Sequence, residues 1–333
     1  MKYINYLFIL IFCGCSHSDN TVLVANSGHA QGSYYHIKYM SDNGYDYHSQ
    51  IDSILQEVDS SLSIYQSFSL ISKLNNKKLT NADSLFKVVF LASKIVFNQT
   101  HGYFDCSISP LVNHYGFYNY TKGDSIVIDS IKVNKLLSNT GFQKINLIGD
   151  SLVLPKDMRL DFNALAQGYT VDLIANFLNA KNVTNYLIEV GGELIASGLN
   201  SENKLWRIGI DKPIDRINNN NNRFQFILDL DNKALATSGN YRKYYEKDGI
   251  KYSHTIDPFT GFPAQNNLLS VTVIHDDCMF ADAYATALMV MGVEKAKQFA
   301  YNNSDIEIYL VFTDNDGEWK TYISPGMSRR IIN

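Results

Sequence analysis

Ile51, Ile54, Leu55, Val58 and Leu62 recur at the three- and four-residue spacing that puts side chains on one face of a helix. Phe86, Val89, Phe90 and the run from Ser93 to Phe97 repeat that spacing. Both segments predict amphipathic helices turned toward a core. A third helix is predicted after Asn163, a residue suited to cap it, with Val171, Ile174, Ala175 and Leu178 on one face. Beyond it the period shortens to two. Tyr186 to Val190 and Leu194 to Ala196 flank Gly191-Gly192, and Trp206, Ile208 and Ile210 alternate with Arg207, Gly209 and Asp211, as half-buried strands do. Tyr241 to Lys247 and Ile250 to Ile256 enclose Asp248-Gly249, a pair that favours the two-residue turn of a hairpin. Leu269 to His275 predicts a strand and Ala281 to Met291 a helix. Strands and helices mix without regular alternation, which predicts an α+β fold rather than a doubly wound sheet.

Composition narrows the class. The 333 residues are 45% hydrophobic with only 6 Pro, enough to bury a substantial core. A net charge of −4 and a pI near 6.1 provide no basic field for phosphate neutralisation, which argues against DNA or RNA as a partner. No repeat is visible, and the Asn218 to Asn222 tract reads as a surface loop. At the N-terminus, Met1-Lys2 precedes an apolar run from Tyr6 to Phe12, then Cys13-Gly14-Cys15. The run is far shorter than the roughly 20 residues a bilayer requires, so it predicts a secretory signal. A small residue followed by Cys resembles the lipobox of bacterial lipoproteins, with Phe12 departing from the usual aliphatic residue. The expected division is a signal over 1–15 with Cys15 lipidated, a tether over 16–26, and one folded unit over 27–333. The remaining Cys106 and Cys278 lack metal-site spacing; a disulfide and two separate thiols both remain open.

Several short segments carry candidate chemistry. On a helix, Asp282 and Thr286 stand at i and i+4, so a carboxylate and a hydroxyl project from one face. Two hard oxygens there suit Mg²⁺, which takes few protein ligands and completes its octahedron with water and phosphates. Equally, Thr286 could bond back to its own helix while Asp282 complements the helix dipole. The stretch 160–169 sets Asp161 before a helix entrance rich in small residues, where free N–H groups favour anions, or where two helices simply pack closely. Gly191-Gly192 marks a bulge or a close backbone approach. Ser238 lacks the Gly-x-Ser-x-Gly setting of a hydrolase nucleophile. His254 shares a predicted strand face with Tyr252 and Ile256, ahead of a Pro/Gly-defined turn over 257–263. With 22 Tyr and 18 Phe, one aromatic near a motif carries little weight.

Taken in order, these segments resemble the ApbE family of FAD:protein FMN transferases. The matching elements are Gln31 to Tyr35, Leu62 to Tyr65, Gly102 to Asp105, Ser109 to Val112 with Tyr115 to Phe117, and Asp161 to Asp172. They continue with Val190 to Glu193, Trp206 to Pro213, Ala236 to Gly239, Tyr252 to Pro263 and Ala281 to Gly292, so the resemblance spans about residues 27 to 325. It implies a bilobed fold with a largely antiparallel, mixed sheet core and packed helices. It implies that Gln31, Tyr65, Tyr103, Phe104, Asp105, Asp161, Gln167 and Ile256 line the FAD site. It also implies that Asp282, Thr286 and the Ala164 carbonyl bind Mg²⁺, and that His254 lies beside the reacting phosphates. Gln31 stands where Met is usual and Gln167 where Lys or Glu is frequent, which removes a charge from the phosphate region.

The activity implied is transfer of FMN from FAD to a threonine of an acceptor protein through a phosphoester, releasing AMP, with His254 or Asp282 taking the proton. Mg²⁺ is the expected cofactor and FAD the substrate. By resemblance the acceptor is a membrane redox protein, and the enzyme is held by its lipid on the periplasmic side of the inner or outer membrane. Hydrolysis of FAD to FMN and AMP, and FAD binding without catalysis, are the competing expectations.

Overall fold

A computed structural model of the chain describes residues 21–119, 121, 128–212, 224–240, 244–247 and 250–332. The predicted signal, Cys15, the Asn218 to Asn222 tract and the Asp248-Gly249 turn lie outside the described residues. The chain opens with two strands, β1 (Thr21–Ala30) and β2 (Ser33–Asp42), joined by Gln31-Gly32. Both turn residues have positive φ, 53° and 72°, the conformation whose twist matches two antiparallel strands. Residues 21–26 therefore belong to a paired strand, which corrects the tether expected to run through residue 26. β1 is an edge strand, so its apolar residues stay largely exposed and leave little burial pattern to read.

Helices α1 (His48–Leu62), α2 (Leu70–Asn75), α3 (Ser84–Gln99), α4 (Ser109–His114) and α5 (Ser130–Leu137) follow, then a small hairpin of β3 (Asn146–Ile148) and β4 (Ser151–Val153). The predicted periodic residues Ile51, Leu55, Val58 and Leu62 of α1 are buried, as are Phe86, Val89 and Phe90 of α3. Next come α6 (Asn163–Ala180), β5 (Tyr186–Val190), β6 (Glu193–Ser197), β7 (Trp206–Asp211), β8 (Phe224–Leu230) and β9 (Lys233–Gly239). The remainder is β10 (Tyr244–Lys247), β11 (Ile250–Ser253), β12 (Leu268–His275), α7 (Cys278–Met291), α8 (Val293–Asn302), β13 (Glu307–Thr313), β14 (Trp319–Ile323), α9 (Pro325–Ser328) and β15 (Ile331–Ile332).

Among the described residues the main sheet has eight antiparallel strands in the order β1-β2-β5-β6-β9-β12-β13-β14. Adjacent residues of one strand serve different cores. Tyr186, Ile188 and Val190 of β5 pack under α6, and Val271 and Val273 of β12 pack under the helical layer around α7. Leu194, Ala196, Leu235 and Ile274 face the opposite way, toward Trp206, Ile208, Leu228 and Leu230 of a three-stranded sheet ordered β15-β8-β7. Both faces of the central strands are thus covered, which is why β12 is buried along nearly its whole length, Ser270 and Thr272 included. The α+β class and the antiparallel sheet agree with the sequence.

A separate small cluster of Leu111, Tyr115, Phe117, Val133, Tyr245 and Ile256 ties α4 and α5 to the β10–β11 hairpin and the turn after it. Tyr115 donates its hydroxyl to the Gly261 carbonyl at 3.0 Å, and Gly261, at φ 75°, would meet Val133 at 3.0 Å if it carried a Cβ. Only glycine suits that bend. Among the described residues no helix is long and apolar enough to cross a membrane. Cys106 and Cys278 are both free and buried, which settles the open pairing against a disulfide.

Candidate functional site

The site is organised by α6. The helix begins at Asn163 after Phe162, and its first turn is irregular: Ala164 has φ −88° and ψ 17°, outside the helical range. Asn163 is therefore not the cap the sequence suggested. The carboxylate of Asp161 takes that role, accepting from the Asn163 N–H at 2.7 Å. Asp161 also accepts from the Tyr118 hydroxyl at 2.7 Å, and Tyr118 lies 2.9 Å from the Ser109 hydroxyl. The Tyr65 ring packs edge-on against Tyr118, and its hydroxyl accepts from the Asn163 side chain at 3.2 Å. Burial raises the Asp161 carboxyl, while the Asn163 amide and Tyr118 hydroxyl pull it back. Burial first, and then Asp161, raise the Tyr118 phenol well above its usual range. Tyr65 itself remains 64% exposed, an aromatic face open to a ligand beside a helix entrance.

One turn further along α6, Gln167 lies against Gly191, where an added Cβ would stand 2.3 Å from the Gln167 amide nitrogen. Gly191, at φ 71°, is thus a place where backbone approaches a polar side chain. Gln31, in the β1–β2 turn, donates from Nε2 to the Thr170 hydroxyl of α6 at 2.7 Å, and its Oε1 has no hydrogen-bond partner. Tyr65, Asp161, Gln167 and Gln31 therefore all converge on the first half of α6.

Beneath them α6 crosses α7 at almost zero clearance. A Cβ on Gly168 would lie 2.5 Å from the Cys278 carbonyl oxygen and 2.8 Å from the Met279 Cα. That contact turns the start of α7 toward α6. The Gly168 N–H engages the Asp282 carboxylate. In a regular helix the same N–H would bond to the Ala164 carbonyl, so the carboxylate lies in the direction from which that carbonyl is reached. Asp282 is only 6% exposed, and its Oδ2 has no hydrogen-bond partner. Burial is the main reason that its carboxyl is pushed well above the carboxylate range; the nearby Glu193 adds to the push, Gly168 opposes it, and Asp172 adds a little. One turn on, the Thr286 hydroxyl lies 3.3 Å from that of Ser238 on β9.

These donors are all hard oxygens. Among the described residues no three His, Cys, Asp or Glu side chains form a cluster able to hold a metal alone. A buried carboxylate oxygen without a partner and a hydroxyl one helical turn away fit a cation such as Mg²⁺, whose other ligands come from water and phosphate.

The other expected residues are more dispersed. Phe104 is 3% exposed and faces the core. Asp105 is equally inward: its carboxylate accepts from the Ser107 N–H, the Ser107 hydroxyl and the Phe142 N–H at 2.7, 2.6 and 3.2 Å. Both side chains hold a loop, and the backbone after them pairs with the Asp161 segment through Cys106. Tyr103 packs edge-on against the exposed Phe259 and accepts from Lys295. Ile256 is 1% exposed within the small cluster. β11 ends at Ser253, so His254 leaves the predicted strand face and is exposed, its ring 6.3 Å from Phe117 and thus near the Tyr118 segment. Glu193 and Ser238 received no role from the sequence, although both sit in matched segments. Only folding sets them against α7.

The sequence profile of the ApbE family matches residues 31–310. The chain belongs to the ApbE family. Among its relatives, the FAD:protein FMN transferase of Vibrio cholerae serotype O1 is 35% identical over 326 residues, covering 95% of this chain and 94% of that protein. The Escherichia coli K12 protein of the same name is 32% identical, with 85% and 81% covered. The solved structure of the flavin transferase ApbE from Vibrio cholerae superposes with a TM-score of 0.83 at 33% identity, over 93% of this chain and 99% of that one. The apo form of the Pseudomonas stutzeri flavinyl transferase ApbE gives a TM-score of 0.83 at 33% identity, covering 93% and 97%.

Proposed function

We propose that this ApbE-family enzyme transfers FMN from FAD to a threonine hydroxyl of another protein, releasing AMP, with Mg²⁺ held by Asp282, Thr286 and the Ala164 carbonyl. The observation that carries the metal assignment is the buried Asp282 oxygen without a partner, beside the irregular first turn of α6. A buried carboxylate in that condition is costly, and a divalent cation offsets the cost. The relatives' activity supports FAD as the substrate.

In this reading Tyr65 and Tyr103 offer aromatic surface to the flavin, and the α6 entrance beside Asp161 receives the pyrophosphate through its N–H groups. Gln31 and Gln167 orient the substrate by neutral hydrogen bonds. The cation, when bound, neutralises the pyrophosphate and makes its phosphorus more electrophilic. The threonine oxygen bonds to the phosphorus on the FMN side, the bond from that phosphorus to the bridging oxygen breaks, and AMP leaves with that oxygen. His254 accepts the threonine proton, since Asp282 is committed to the cation.

The test is incubation with FAD, Mg²⁺ and an acceptor protein, with AMP measured alongside flavin fluorescence on the acceptor band. Wild type is expected to yield both in equal amounts, and Asp282→Ala to lose at least roughly a hundredfold of the rate. AMP without a fluorescent acceptor would mean hydrolysis. Flavinylation by Asp282→Ala at the wild-type rate would refute the metal assignment.

A further inference from the structure

Asp172 lies one turn beyond Gly168 on α6, and its carboxylate serves a different helix. The Cys278 N–H donates to Oδ1 at 2.8 Å and the Met279 N–H to Oδ2 at 2.9 Å. These are the first two residues of α7, whose own cap residue, Asp277, makes no side-chain hydrogen bond to the helix. Asp172 thus satisfies from α6 the amides that a local cap would ordinarily satisfy. The Gly168 backbone lies against the same two residues. A steric contact and a two-pronged polar contact therefore hold α7 at one level, and Asp282 and Thr286 follow on the next two turns. Sliding or rotating α7 would break one or the other.

We propose that Asp172 is a positioning residue for the transfer site: its carboxylate keeps α7 in register with α6, so that Asp282 and Thr286 stand opposite the Ala164 carbonyl. The proposal rests on the function above only for what the site binds; the register belongs to the two helices themselves.

The surroundings show that this carboxylate is kept at a cost. Burial pushes its pKa up to about 7 against the pull of the Met279 and Cys278 amides, with the Asp277 carboxylate adding to the push. The groups around it are the Tyr169 and Tyr186 phenols, the Cys278 thiol and the Asp282 carboxyl, with Glu193 acting on the last two. No cation among them relieves the charge. An expensive acid pointed at a helix that carries a binding site is better explained by what it positions than by stability.

The test uses the full-length protein and Mn²⁺ as the probe, titrated by calorimetry, beside FAD binding followed by fluorescence quenching without metal. Asp172→Asn keeps the size but offers one acceptor where two amides wait. Its Mn²⁺ affinity is expected to fall by about ten- to a hundredfold, as for other residues that orient ligands. FAD binding should stay within about twofold, and Asp172→Glu should recover part of the Mn²⁺ affinity. Wild-type Mn²⁺ affinity in Asp172→Asn would overturn the proposal, and so would a parallel loss of Mn²⁺ binding, FAD binding and cooperative melting. Should Asp172→Asn not fold, the wild-type protein decides by NMR. The Cys278 and Met279 amide protons should show the slow exchange of hydrogen-bonded amides; exchange as fast as that of unprotected amides in the folded protein would overturn the proposal. If wild type itself bound no Mn²⁺, the metal assignment would fail, while the protection of these two amides would still decide the register.

Discussion

The Tyr118 hydroxyl is the hinge of the polar cluster at the start of α6. It donates to Asp161 at 2.7 Å while lying 2.9 Å from Ser109. Removing it in Tyr118→Phe leaves a raised carboxyl with one donor fewer, at a cost of about 1–3 kcal/mol. The expected result is a lower melting temperature together with weaker FAD binding, because Asp161 at the α6 entrance loses the hydroxyl that helps to hold it. An unchanged melt and unchanged FAD binding would show that Asp161 is held by Asn163 alone. At this scale the sequence was informative about identity and silent about environment. Asp282 and Thr286 could be paired by spacing, but whether the pair faced solvent or a buried site depends on β9 and on Gly168, which are remote in sequence. Phe104 and Asp105 show the converse. Proximity to Tyr103 in sequence said nothing about their side chains, which turn inward toward Phe142 and Ser107.

At the scale of elements, the crossing of α6 and α7 decides whether a site exists. Replacing Gly168 by Ala would push a methyl group to 2.5 Å from a backbone oxygen, which neither helix can relieve by changing a rotamer. Such overpacking costs about 1–3 kcal/mol. The separation it forces would move Asp282 from Ala164, so Gly168→Ala should lose Mg²⁺-dependent transfer beyond what its lower melting temperature accounts for. A variant that melts early yet turns over at the wild-type rate per folded molecule would contradict this. α1 and α3 were legible because only one face of each is buried. α7 was legible only in its existence. It is buried nearly all round, so no stripe announced which face carried Asp282, and it begins at Cys278 rather than Ala281. β11 ends at Ser253, short of the Ile256 that the pattern suggests, and His254 lies beyond it, exposed. The irregular turn at Ala164 has no local signature, since Ala favours regular helix.

For the whole molecule, the main sheet carries α6 on β5 and β6 and α7 on β9 and β12, so the site inherits its rigidity from the central strands. The same architecture gathers carboxyls with raised pKa values at Asp161, Asp172 and Asp282. A carboxyl whose folded pKa is raised holds a proton in the folded state that the unfolded chain has released. Its contribution is complete below the unfolded value near 4 and is lost as pH rises through the folded value, about 7 for Asp172. The metal-free protein should therefore lose stability between about pH 4 and pH 7, by up to roughly 1.4 kcal/mol per pH unit for each such proton. Mg²⁺ should reduce that slope, because it binds the ionised Asp282. Melts across this range in EDTA and in Mg²⁺ measure both; two superimposable curves would contradict the account.

Crystals of the protein grown with FAD and Mn²⁺ offer the most direct check, through the anomalous signal of the metal. The account predicts one strong peak within bonding distance of Asp282 Oδ2, Thr286 Oγ1 and the Ala164 carbonyl oxygen, against the FAD phosphates. A metal peak remote from these three atoms, or ordered FAD phosphates at the α6 entrance with no metal beside them, would contradict it.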